Sequence, residues 1–167
     1  MKKTLLLLLI VFSFPSCEKD DICDEKTSTT PRLIIDFYNV TIPTDKKTVT
    51  KLAVFSENVT DSITFDGVST IQLPLKINTT STKFRLVLNN GNVNPLLINE
   101  DVLEFNYTTK TVYVSRACGF KSIFTLDNTN PYILTDNPIP DLLWIQSIEV
   151  LQPNILDENE THLKILF

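Results

Sequence analysis

The sequence predicts an all-β domain, an antiparallel β-sandwich of about eight or nine strands, Ig-like in broad architecture. Three observations carry this. Apolar residues alternate with polar ones in short runs, as they do along a half-buried strand. No window keeps helical periodicity for three turns, and the many threonines and asparagines disfavour helix. Asp66-Gly67 and Asn89-Asn90-Gly91 then punctuate the runs as turns. A closed barrel is the competing architecture, but only three glycines are present for its corners, which favours two open sheets.

The first strand falls in 32–39, where Leu33, Ile35 and Phe37 share one face. The second lies in 49–55, and Ile63 and Phe65 alternate just before the Asp66-Gly67 turn. Ile71, Leu73, Leu75 and Ile77 alternate with Gln72, Pro74 and Lys76; Pro74 cannot donate to a ladder, so this strand belongs at an edge. Phe84, Leu86 and Leu88 repeat the pattern. Leu103, Phe105 and Tyr107 follow, and Thr108-Thr109-Lys110 reads as the turn of a hairpin returning through 111–115. Strands in 122–126, in 144–151 beginning at Trp144, and in 162–167 complete the set.

The 167 residues suffice for one domain with a real core. The formal net charge of −5 and the scattered bases exclude a nucleic-acid binder and a polybasic membrane-surface module. The chain begins MKKTLLLLLIVFSFPSCEKDDICDE. Lys2 and Lys3 form a positive n-region and 5–14 an apolar stretch of secretory-signal length, too short to span a bilayer. Cys17 ends that stretch and four charged residues follow at once, the arrangement of a lipobox cysteine that carries lipid on its thiol and becomes the first residue of the mature chain. An ordinary signal cleaved near Ser16, leaving Cys17 a plain thiol, is the alternative. Removal of 1–16 leaves 13 bases against 20 acids, a net charge of −7. Residues 17–31 are charged, then threonine-rich, as a tether is, and the folded domain occupies 32–167.

With Cys17 acylated, Cys23 and Cys118 remain, an even number in an oxidising compartment, and pairing them is the economical reading. Two free thiols, one buried and one in the tether, are the alternative. A metal site is poorer still, because His162 is the only histidine and no CxxC pair exists.

The cysteine pair Cys17 and Cys23, the stretch RLIIDFYN, a hairpin running into SRACGF and a terminal HLKILF together resemble a family of small uncharacterised Bacteroidota-type lipoproteins. The CG of ACGF is the distinctive part. The resemblance implies a lipid-anchored outer-membrane protein facing the periplasm or the cell surface, held through Cys17. Lys19, Asp20 and Asp21 resemble the surface-export signal of such proteins, and Asp61-Ser62-Ile63 resembles their O-glycosylation site at Ser62. No activity comes with the resemblance.

Catalytic constellations are scarce, and no GxSxG, HExxH, P-loop or dinucleotide fingerprint occurs. His162 alternates with Leu163, Ile165 and Phe167 and is expected to face solvent from a strand. Glu100-Asp101 and Asp157-Glu158 lie in expected loops as solvated charge, and LDENE lacks the spacing and glycine of a calcium loop. Trp144 with Tyr132 has two readings: core packing, which is favoured, and a stacking platform for a sugar. The expectation is a non-catalytic binding or assembly module for another envelope protein, such as an outer-membrane protein, without cofactor or metal. Glycan or small-ligand binding is the alternative, and a hydrolytic enzyme the third reading.

Overall fold

The computed structural model describes residues 22–136 and 142–167. Cys17, Lys19, Asp20 and Asp21 lie outside them. Among the described residues are eleven strands: β1 (Leu33–Tyr38), β2 (Leu52–Ser56), β3 (Ser62–Phe65), β4 (Thr70–Leu73), β5 (Ser81–Leu88), β6 (Asn99–Ser115), β7 (Gly119–Leu126), β8 (Tyr132–Asp136), β9 (Ser147–Val150), β10 (Asn154–Ile155) and β11 (Leu163–Leu166). One 3-10 turn, Pro95–Leu97, interrupts them. No helix among the described residues is long and apolar enough to cross a membrane.

Contacts divide the chain into two units. The larger, Ser28–Val112 with Lys121–Phe167, carries the sandwich. Its smaller sheet has four strands in the order β4-β1-β11-β9, and the larger has seven, β10-β7-β6-β5-β2-β3 with β8 added to β6. Leu33, Ile35, Phe37, Ile71 and Ile165 from the first sheet meet Val54, Leu86, Leu103, Phe105 and Phe124 from the second in one buried core. The period-two alternation of these residues is what gives each sheet an apolar face. Strand β4 lies at a sheet edge, as expected, but it ends at Leu73, so Pro74 and Ile77 follow the strand rather than continue it.

Several expectations need correction. The pairing is antiparallel except for β1 and β11, which run parallel with Ile35 opposite Leu163 and Phe37 opposite Ile165. Thr108-Thr109-Lys110 is not a turn, because β6 continues through it to Ser115. Threonine is a good strand residue wherever a strand is wet, so loss of apolar residues there did not mark a reversal. Glu100 and Asp101 lie within β6 rather than a loop: Glu100 pairs with Arg85 at 2.7 Å, and buried Asp101 accepts the Ile145 backbone N–H at 2.8 Å. Trp144 precedes its strand, for β9 starts only at Ser147. Strands β8 and β10 were not anticipated.

The described residues of the smaller unit are 22–27 with Tyr113–Phe120. In it the chain reverses between Ser115 and Gly119, where the Cys118 N–H donates to Ser115 Oγ at 3.0 Å. Gly119 holds φ +68, a left-handed conformation that side-chain-bearing residues seldom adopt, which accounts for glycine after Cys118. Cys23 and Cys118 are bonded to each other, with Cα atoms 4.9 Å apart, as their number suggested.

Candidate interaction site

The β5–β6 connection is built from asparagines. Asn89 takes φ 56, which its short polar side chain tolerates, and donates through Nδ2 to the Leu97 carbonyl at 2.9 Å. Asn92 Oδ1 accepts from the Asn94 N–H at 3.0 Å, and Asn94 Oδ1 from the Leu96 N–H at 3.1 Å. The Leu97 and Ile98 N–H groups close the 3-10 turn onto Asn94 and Pro95. These bonds fix the loop from within, so its apolar side chains are not needed to hold it. Val93 is fully exposed, Leu96 is 90% exposed and Leu97 more than half.

Exposed Leu142 joins this site. Asn99, two residues past Leu97, donates to its carbonyl at 2.6 Å, while its own N–H donates to Asp136 at 3.1 Å. Leu142 has φ 72, an unfavourable conformation for a branched residue that these two bonds hold in place. Four large apolar side chains thus face water on restrained backbone, where ordinary surface carries polar ones. Sequence reasoning missed them; the signal was NVNPLLIN, whose apolar residues follow no strand period.

The residues singled out from sequence behave differently. Trp144 is 8% exposed, stacks edge-on against Phe167 at 5.4 Å, and donates its indole N–H to the Leu86 carbonyl at 3.3 Å. Tyr132 gives its hydroxyl to the Ile148 carbonyl at 2.9 Å. The favoured core reading of Trp144 holds, and its ring leaves little face for a sugar. Ser62 opens edge strand β3 half-buried, lining a cleft of about 370 Å³ beside Asp61 and Ile63. A second open cleft, about 500 Å³, lies against Phe55, Asn58 and Val59, with Arg85 stacked on the Phe55 ring at 4.1 Å. Among the described residues no group of three or more His, Cys, Asp or Glu is placed to hold a metal. In LDENE, Glu158 is taken by Arg32, which grips it through Nε and Nη2 at 2.8 and 2.9 Å.

His162 does not face solvent; it is 1% exposed. Its backbone N–H donates to the Ile34 carbonyl at 3.0 Å and its Nδ1 accepts the Ile34 N–H at 2.9 Å, so the ring extends the β1–β11 ladder by one rung. An acceptor Nδ1 places the proton of the neutral ring on Nε2, which is buried with no hydrogen-bond partner. Burial pushes the imidazole below its ordinary value of 6.5, and Glu160, Asp157 and Glu158 offset only part of this. The unfolded chain therefore binds this proton first as pH falls. The stability tied to neutral His162 is complete above about pH 6.5 and drains away below it, by at most about 1.4 kcal/mol per pH unit. Urea titrations at pH 7.5, 6.5 and 5.5 are expected to show that decline, and His162→Gln to flatten it. An unchanged slope in the variant contradicts the assignment. Asp36 acts in a lower window. Burial raises its affinity for a proton, but bonds from Thr70, Lys46 and Thr161 outweigh burial and hold it below the usual carboxylate range.

The fold and these features define an all-β, two-sheet domain with a hairpin turn disulfide-bonded to the N-terminal segment and an apolar, asparagine-braced loop. The chain belongs to a family of unknown function, DUF6452, whose model matches residues 46–167. That match contains Cys118, Trp144, His162 and the whole β5–β6 loop, and begins after β1. No curated protein matches the chain, nor does any solved structure.

Proposed function

We propose that this is a lipid-anchored envelope protein of the Bacteroidota type whose domain is a non-catalytic module binding another envelope protein, such as an outer-membrane protein. The observation that carries the reading is the loop presenting Val93, Leu96 and Leu97 beside Leu142. Because the backbone is already restrained, covering these side chains costs only their rotamer freedom, less than ordering a floppy loop as well. A lipid on Cys17 confines the module to one membrane face and raises its effective concentration for a partner there. Lys19, Asp20 and Asp21 serve as the export signal that selects the outer face. Ser62, on an edge strand, is the O-glycosylation site.

A photo-crosslinking residue placed at Leu96 is expected to capture one envelope protein in intact cells, while the same residue at exposed Val59 captures none. With the crosslinker kept at Leu96, Val93→Asp combined with Leu97→Asp should abolish capture with stability within about 0.5 kcal/mol of the parent, as for other surface substitutions. Capture that is equal at both positions, or insensitive to the aspartates, refutes the loop as the binding surface.

A further inference from the structure

Within the smaller unit, the alternation of β6 continues but burial does not. Phe105 and Tyr107 are buried, whereas Tyr113, on the same side of the strand by period two, is 55% exposed. The same holds on β7, where Phe124 and Ser122 are buried and Phe120 is 69% exposed. The Tyr113 and Phe120 rings meet edge to face at 5.3 Å, so each fixes the other while both remain open to solvent. Ile22, also exposed, lines a hollow with Tyr113 and Arg116 next to Cys118. Between Glu104 and Asp127 the chain carries Lys110, Arg116 and Lys121 and no acid; Asp24 lines the same hollow as Arg116, and the Lys121 ammonium donates to Ser28 and to the Leu156 carbonyl.

The Cys23–Cys118 bond gives this cluster a defined neighbour. Cys17 is six residues from Cys23, a contour of at most about 22 Å. Whatever bilayer holds a lipid on Cys17 therefore lies within one short chain length of the β6–β7 turn. Exposed aromatic rings beside an arginine settle at the headgroup boundary, Phe120 with its ring toward the acyl chains, Tyr113 with its hydroxyl at the polar level and Arg116 among phosphates. A tether that short presents this turn to the membrane continuously, so even weak partitioning is sufficient.

We infer that Tyr113, Phe120 and Ile22 form a membrane-contact site that seats the β6–β7 turn in the bilayer interface beside the anchor. This rests on the anchoring proposed above, and the two are separable by experiment. Cys23 and Cys118 are bonded, so an unmodified Cys17 is the single free thiol of the chain. The exported full-length protein is bound to phosphatidylethanolamine–phosphatidylglycerol vesicles through its own lipid or, where mass spectrometry finds Cys17 bare, through that thiol coupled to a maleimide lipid. Quenching by brominated lipids is then measured for Phe120→Trp and Val93→Trp, with the parent and its one Trp144 as baseline. Phe120→Trp is expected to be quenched at least about threefold more than Val93→Trp, with a blue-shifted emission that Tyr113→Ser diminishes. Equal quenching at the two positions, or none above baseline at Phe120→Trp, overturns the membrane-contact site whether or not Cys17 is lipidated in the cell.

Discussion

Replacing Cys118 with serine is expected to lower the unfolding free energy by about 4 to 5 kcal/mol in the chain-entropy account of a loop this long. The bond joins residues 95 apart, so its loss releases most of the chain to explore unfolded conformations that the bonded form cannot reach. Cys23→Ser should cost the same, and the double variant no more than either single one, because all three remove one shared constraint. Urea unfolding of the oxidised protein and the three variants measures this. Additive losses from the two serines, or a loss below about 1 kcal/mol from either, would show that the bond does not govern stability. Treatment of the parent with a reductant should reproduce the Cys118→Ser midpoint.

Cys17→Ala is expected to move the protein from the membrane fraction to the soluble one almost completely. One acyl chain gives only marginal, reversible attachment, whereas the two or three carried by an acylated N-terminal cysteine hold a protein nearly permanently. The seat proposed for Tyr113 and Phe120 does not replace such an anchor; it orients a protein already at the surface. Fractionation with intact-mass measurement decides the matter, since the parent should carry the added diacylglycerol and the variant should not. Finding the parent unmodified and soluble removes the anchor, and with it the confinement on which partner capture depends.

The sandwich was legible in the sequence because its core residues alternate; Pro74 pointed to the edge but not to the end of β4, because a residue without an N–H suits an edge strand and a strand terminus alike. The cysteine pair was legible by count. His162 was misread because period-two logic assumes one wet face, and β1 and β11 have none over much of their length: Ile34, Asp36 and Leu166 are buried along with the residues between them. A sheet covered on both sides erases the alternation that would tell inward from outward. The turn after Tyr107 failed for the opposite reason. A ribbon wet on both sides carries threonine and lysine as readily as a turn does, and the reversal was instead marked by Gly119, whose backbone angle no periodicity encodes. The Val93–Leu97 surface was hidden because apolar residues in a loop read as weak strand, and only the asparagine hydrogen bonds reveal a loop built to leave them uncovered.

The parallel pair of β1 and β11 has a bearing on biogenesis. In the smaller sheet, β11 is an inner strand between β1 and β9, and it partners β1 across 128 positions of sequence, from Ile35 to Leu163. Contacts so distant form late, because the entropy of closing a long loop must be met before any pairing repays it. Until Leu163–Leu166 has been synthesised, β1 has no inner neighbour and the core lacks one wall. An emerging polypeptide therefore cannot complete its smaller sheet until β11 has been made, so the last residues synthesised close the fold.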